Sequence, residues 1–296
     1  MRVCVVGLGS MGAGAARACV AAGLETWGID PRPEACAAHV AAGGAGAAAD
    51  GCAFPPLDAV VVLTVNAAQA RAALFGETGL AALLPKGAGV MMSPTISVAD
   101  AQDIAARLAG LGLLPLDAPV SGGPAKAAEG RMTVMAAGSA EAFDRLAPVL
   151  DAVAERVFRI SDRIGDGATV KIVHQLLAGV HIAAGAEAMA LAARAGIDLE
   201  TMYQVVTSAA GNSWMFENRM RHVVDGDFSP RSAVDIFVKD LGLVTETGLA
   251  LRQPLPLATA AWSMFATASA AGYGGLDDSA VIKVFPGLEL PDGGDR

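Results

Sequence analysis

The chain begins with a short β-type run, Arg2 to Val6, that breaks at once into Gly7-Leu8-Gly9-Ser10-Met11-Gly12 and then into a helix-forming stretch, Ala13 to Ala22. Few local patterns restrict a fold so strongly. Strand, G-x-G-x-x-G and helix in that order open a parallel α/β sheet whose first turn receives a dinucleotide. Gly7 permits the tight turn, Gly9 lets a pyrophosphate approach the backbone, and Gly12 lets the helix pack closely. The helix N-terminus supplies amide N–H groups and positive dipole to the phosphates. Gly7, Leu8, Gly9, Ser10, Met11 and Gly12 are therefore candidate cofactor contacts.

A second strand, Glu25 to Ile29, ends in Asp30, close to the spacing expected for a carboxylate that accepts both ribose hydroxyls of an adenosine. Such a carboxylate repels a 2′-phosphate, so NAD is favoured over NADP. Arg32 complicates that discrimination, and Asp30 is also readable as a turn residue before Pro31. Val60 to Val65 reads as a strand covered on both faces and is followed by Asn66. Gly89 to Met92 reads as another, closing on Ser93-Pro94-Thr95-Ile96-Ser97, with a helix beginning at Asp100. Asn66 and Thr95 are candidates for the nicotinamide side of the cofactor, or turn and N-cap residues. Leu113 to Leu116 leads into Asp117-Ala118-Pro119-Val120-Ser121-Gly122-Gly123-Pro124, and Met132 to Ala136 is a further strand. Ser121, Gly122 and Gly123 offer a hydroxyl and two unobstructed N–H groups, a nest suited to a carboxylate.

The second half is organised around Gly165 to Gln175, GDGATVKIVHQ, which opens an Ala-rich helical run of more than twenty residues. Lys171 and Gln175 are one turn apart and share a face of an otherwise apolar helix. The run from Leu176 to Ala193 contains His181 and Glu187 and lacks the bulky residues of a membrane span. Helical runs continue at Glu200 to Ser208, Trp214 to Val224, Ala233 to Ala250 and Pro256 to Ala271, without β-type alternation. Phe237-Val238-Lys239-Asp240-Leu241-Gly242 carries one of only five lysines, for which a surface ion pair with a carboxylate is the alternative to a functional role. Trp214 and Phe216, with Asn212 and Asn218 nearby, shape a pocket or fill a core.

With 296 residues the chain accommodates two domains, 1–163 and 164–296. A net charge of −9 argues against a nucleic-acid partner. Cys4, Cys19, Cys36 and Cys52 form no C-x-x-C pair and read as free thiols in a reducing cytoplasm. The four histidines form no metal-binding pattern, and His174 with His181 lacks a third ligand, so no metal is expected. Met1 to Val6 is too short for a signal peptide. The tail from Pro291 to Arg296 reads as disordered.

Taken together, GLGSMG, DAPVSGGPAKAAEG, GDGATVKIVHQ and FVKDLGL resemble, in order and separation, the motifs of the β-hydroxyacid dehydrogenase family, related to 3-hydroxyisobutyrate dehydrogenase. The resemblance covers nearly the whole chain. It implies a Rossmann-type N-terminal domain, a long connecting helix, an all-helical C-terminal domain and pairing into a homodimer or homotetramer. It further implies that Ser121, Gly122 and Gly123 bind the substrate carboxylate, that Lys171 is the catalytic acid/base, that Lys239 reaches the cofactor and that Asp240 lines the cleft. Gln175 then holds the substrate beside the lysine. Two departures stand out: His174-Gln175 where the family carries asparagines, and Pro124-Ala125-Lys126 where it carries a further Gly and Ala. With LLAGVHIAAGAEAMALAARAGI and GNSWMFENR, the first departure resembles the L-threonate dehydrogenase branch. The implied reaction is NAD-dependent oxidation of a four-carbon sugar acid, in which Lys171, its pKa lowered from about 10.4, takes the hydroxyl proton. Alternatives are a 3-hydroxyisobutyrate dehydrogenase, a tartronate semialdehyde reductase, or a non-catalytic nucleotide-binding protein.

Overall fold

The structure, a computed structural model, describes residues 1–50 and 54–291, so Cys52 and the tail beyond residue 291 lie outside the described residues. The chain forms two compact units, Met1–Lys171 and Ile172–Arg296, and the division falls inside a long helix rather than in a loop.

In the first unit, β1 (Arg2–Val6), α1 (Ser10–Ala21) and β2 (Glu25–Ile29) follow one another as the glycine pattern requires. There follow α2 (Pro33–Ala41), β3 (Gly46–Ala48), β4 (Ala59–Val62), α3 (Ala67–Phe75), β5 (Gly89–Met92) and α4 (Val98–Gly110). The unit continues with β6 (Leu114–Asp117), β7 (Val120–Ser121), α5 (Gly123–Ala128), β8 (Met132–Ala137), α6 (Ala140–Val153) and β9 (Ala154–Ser161). Among the described residues these strands form one sheet in the order β3-β2-β1-β4-β5-β6-β8-β7, with β9 on β8. The strands from β3 to β6 are parallel, and β8 turns antiparallel to β6 and β7. The order reverses between β1 and β4, the switch point where open α/β sheets bind ligands.

Period-two alternation sends the strand residues to two separate cores. Val3, Val5, Val61 and Met91 pack with α1 and α6 on one face. Cys4, Val6, Val60, Val62, Val90 and Met92 pack with α3 and α4 on the other. Covering both faces makes these strands continuous apolar runs. Each such side chain contributes about 1.5–3 kcal/mol by burial, and Val61→Asp would place an unpaired charge in the middle of the sheet. Burial also pushes the Cys4 and Cys19 thiols up, to about 12 for Cys19, which keeps both protonated and unreactive.

Some expected boundaries shift. The strand expected over Val60 to Val65 ends at Val62, because Leu63 to Asn66 already form the turn into α3. The helix expected from Asp100 starts at Val98, because Ser97 caps it by accepting from Asp100 N–H at 3.0 Å. The short strands β3 and β7 and the exposed edge strand β9 carry no strong apolar period.

The helix α7 (Asp166–Arg194) starts in the first unit and continues into the second, where α8 (Leu199–Thr207), α9 (Trp214–Asp225), α10 (Val234–Leu251) and α11 (Pro256–Ala268) follow. Gly196, at φ +76°, ends α7, with Ile197 N–H bonding back to Ala192 O at 3.0 Å. Asp198 and Ser213 cap α8 and α9 by accepting from Thr201 and Phe216 N–H. The last helix was expected to reach Ala271; it stops at Ala268 and loosens into a single wide turn in which Gly272 takes φ +92°. By length and composition alone α7 is apolar enough to cross a membrane, but half of its most apolar window is buried inside the protein.

Candidate active site

The turn between β1 and α1 is built from backbone. Gly7 sits at φ +88° and donates its N–H to Ile29 O at 2.7 Å. A Cβ on Gly12 would stand 1.7 Å from Gly7 O, so only glycine fits there. Nothing lies within 4 Å of a Cβ built on Gly9, which leaves the backbone open to a ligand. No side chain caps α1 at Gly9 and no acidic residue occupies its first turn, so the N–H groups of Ser10, Met11 and Gly12 and the helix dipole remain available to phosphate. Beside this turn lies a cavity of about 600 Å³ lined by Gly7, Gly9, Asp30, Arg32, Thr64 and Val65, a size that suits a cofactor's adenosine half. The glycine cradle, the uncapped helix and a carboxylate at the end of β2, lining the same cavity, together fit NAD.

Asp30 is 5% exposed. One carboxylate oxygen accepts from Arg32 N at 3.0 Å and Arg32 Nε at 2.9 Å; the other accepts from Leu8 N at 2.8 Å and Arg32 Nη2 at 3.2 Å. Burial pushes this carboxyl up, but the Arg32 and Leu8 hydrogen bonds outweigh it and hold it below the usual range. Four donors fill all four lone-pair directions of the carboxylate. Sequence spacing identified Asp30 but not the grip of Arg32, for which the only signal was proximity.

Asn66 caps α3, accepting from Gln69 N–H at 2.9 Å, while Thr64 and Val65 of the same turn line the cavity. Thr95 is half-buried in the loop after β5. Ser121 is half-buried at the end of β7, and Gly122 and Gly123 follow at φ +139° and +73°, conformations that favour glycine.

The start of α7 is fixed to the sheet by a residue to which sequence reasoning gave no role. Asp117, at the end of β6, accepts from Gly165 N–H at 2.8 Å and Ala168 N–H at 2.9 Å. A Cβ on Gly167 would meet Asp117 O at 2.6 Å and Met135 O at 2.7 Å. The helix thus begins hard against β6 and β8, and its cap comes from 48 residues away. The one hint was a long helix that opens on Gly-Asp-Gly with no cap side chain immediately before it. Burial pushes the Asp117 carboxyl up despite these bonds. Five residues into this anchored helix, Lys171 is 6% exposed.

In the second unit a chain of polar side chains runs between α7 and α10. His174 Nδ1 lies 2.9 Å from Gln175 Oε1, Gln175 Nε2 donates to Asp240 Oδ2 at 2.5 Å, and Lys239 Nζ pairs with Asp240 Oδ1 at 2.8 Å. Gln175 and Asp240 are buried, and Lys239 is partly exposed. The lysine's ion pair is thus with its own neighbour. Phe216 is a core residue facing Tyr203, whereas Trp214 is mostly exposed. Among the described residues no group of three or more His, Cys, Asp or Glu side chains converges as a metal site would require.

Residues 2–161 match the model of the NAD binding domain of 6-phosphogluconate dehydrogenase, and residues 165–285 match that of NADP-dependent 3-hydroxyisobutyrate dehydrogenase. An L-threonate dehydrogenase of Escherichia coli is 66% identical over 97% of this chain and 95% of its own length. The chain belongs to the 3-hydroxyisobutyrate dehydrogenase-related family. It is an NAD-dependent oxidoreductase. An L-threonate dehydrogenase of Cupriavidus necator is 52% identical over 97% of both chains. A crystal structure described as 3-hydroxyisobutyrate dehydrogenase, from Salmonella typhimurium, is 67% identical, covers 96% of this chain and all of its own, and superposes with a TM-score of 0.93.

Proposed function

We propose that this dehydrogenase oxidises a four-carbon sugar acid, L-threonate, to 2-dehydro-L-erythronate. The observation that carries the reading is that relatives named for this activity remain similar over almost the full chain from 66% down to 52% identity. NAD, when bound, supplies the two-electron acceptor for the hydride. Gly7, Leu8, Gly9, Ser10, Met11 and Gly12 hold its pyrophosphate, Asp30 its adenosine ribose, and Asn66, Thr95 and Lys239 border its nicotinamide side. Ser121, Gly122 and Gly123 receive the substrate carboxylate. Lys171 takes the proton of the hydroxyl as its carbon gives up the hydride, so that C–H and O–H bonds break and a C=O bond forms. Burial supports this role, because a lysine that is only 6% exposed is shielded from bulk water and placed to exchange a proton with a bound substrate instead of with solvent. Gln175 donates to the substrate beside the lysine, and Asp240 lines the same site and steadies both Gln175 and Lys239.

Val173, Leu177 and Leu191 lie exposed along one stripe of α7, which supports a homodimer or homotetramer. Light scattering at micromolar concentration tests this, and a single monomeric species contradicts it. The substrate is tested by a panel of L-threonate, D-threonate, D-erythronate, 3-hydroxyisobutyrate and L-serine with NAD, and of tartronate semialdehyde with NADH, followed by NADH absorbance. L-Threonate is expected to give the highest kcat/KM. The name of the Salmonella structure favours a second reading, 3-hydroxyisobutyrate, and preference for that acid would replace the first.

A further inference from the structure

The amide of Gln175 has two chemically different ends, and its surroundings tell them apart. A carboxylate only accepts, so the atom 2.5 Å from Asp240 Oδ2 must be the NH2 group. The amide oxygen therefore faces His174, and because that oxygen also only accepts, Nδ1 of His174 must carry a proton. Turning the amide over would set two oxygens against each other at Asp240 and two N–H donors against each other at His174. Asp240 cannot swing aside to relieve this, since it is 2% exposed and its other oxygen is held by Lys239 at 2.8 Å. With one N–H given to Asp240 and the oxygen occupied by His174, the amide offers a ligand its second N–H.

We propose that His174 is a positioning residue: its Nδ1–H locks Gln175 as a hydrogen-bond donor, so that the substrate must present an acceptor oxygen to it. This rests on the reading above that Gln175 contacts the substrate. The lock selects for a hydroxyl or carboxylate oxygen at that point, and an acid with a methyl group there leaves a buried N–H unpaired. A glutamine not held by His174 still keeps its NH2 on Asp240, but it is pinned at one end only and can swing about that bond, so its second N–H is no longer fixed toward the substrate and the discrimination weakens.

The test joins kinetics to spectroscopy on the full-length enzyme, using the acid that the substrate panel identifies. His174→Phe keeps a flat ring and removes the donor; KM for the acid is expected to rise, and kcat to fall, by about tenfold each, with KM for NAD unchanged. His174→Asn restores an N–H and is expected to recover most of the loss. Nitrogen-15 NMR of histidine-labelled enzyme, assigned by comparison with His174→Asn, is expected to show Nδ1 protonated without substrate. An Nε2-protonated neutral ring overturns the lock whatever the variants do. Wild-type kinetics in His174→Phe together with impaired Gln175→Ala overturns the lock while leaving Gln175 at the substrate. Wild-type kinetics in both overturns the substrate role of Gln175 as well.

Discussion

The turn between β1 and α1 and the polar face of α7, both binding surfaces in the proposed function, are made from different materials. The first is made of main chain: three glycines within six residues, an uncapped helix and first-turn amide groups with no side-chain cap. The second is made of side chains whose partners lie up to 65 residues away, as Gln175 and Asp240 do. A site made of main chain needs particular residues only where a Cβ would collide, and it tolerates no alternative at those points. A site made of side chains depends on each partner's protonation and orientation, and it can be damaged in graded steps.

The largest effect is expected where chemistry depends on one side chain. Lys171→Ala is expected to lower kcat about 10³–10⁴-fold, with NAD affinity, read by NADH fluorescence titration, unchanged. Near-normal turnover would remove Lys171 from the mechanism. Next comes Gly12→Ala, whose Cβ would lie 1.7 Å from Gly7 O. It is expected to abolish measurable NAD binding and to destabilise the first unit by about 3 kcal/mol or more, since neither α1 nor the turn can move without breaking the sheet contacts. Retained NAD affinity in that variant would mean that the two regions differ less than their construction suggests.

Asp117→Ala removes a cap rather than a reacting group. The loss expected is about 1–2 kcal/mol of stability, measured by urea unfolding, together with a smaller kcat because Lys171 is carried on the helix that Asp117 anchors. Full kcat with lowered stability would show that the start of α7 can loosen without moving the lysine.

What could be read in advance follows the same division. The glycine turn, the carboxylate at the end of β2 and the long helix with Lys171 and Gln175 were legible because each is a local pattern of three to thirty residues. The fold class was legible for the same reason, since continuous apolar strands alternate with helices in the first half and only helical runs follow. The end of β4 was placed three residues too late, because Leu63 to Val65 are as apolar as a strand although they form the turn. Asp117 on α7, and His174 acting through Gln175 on Asp240, were not legible as contacts. Each depends on two elements meeting in space, which local spacing does not encode. Arg32 was visible only as a nearby charge.

A side-chain network in the second unit gives a pH test of the contrast. Asp277 is fully buried, with His222 Nδ1 at 2.9 Å and Ser279 Oγ at 2.7 Å from its Oδ1. Burial pushes its carboxyl up, but the hydrogen bonds from His222 and Ser279 prevail and hold it well below the usual range. A carboxyl with a depressed folded pKa binds fewer protons folded than unfolded, so its stabilisation is present above the unfolded value near about 3.9 and is lost as pH falls through the folded value. Unfolding midpoints are therefore expected to drop on acidification below about pH 4, and Asp277→Asn to flatten that drop. An equal slope in both proteins would assign the acid sensitivity elsewhere.

The smallest effect is expected at Arg32, where a side chain intrudes on the main-chain site. Its guanidinium fills lone pairs of Asp30, the same ones that the proposed ribose contact needs, so on that proposal cofactor binding displaces it. The cost is modest because the Arg32 side chain is 53% exposed, and an ion pair so open to water is worth about 0–1 kcal/mol. Arg32→Leu is therefore expected to lower KM for NAD by no more than about fivefold. The same change is expected to raise KM for NADP, since it removes the cation that offsets the repulsion between Asp30 and a 2′-phosphate. Steady-state KM values for both cofactors decide it. A KM for NAD that rises in Arg32→Leu would mean that the arginine contacts the bound cofactor instead of competing with it.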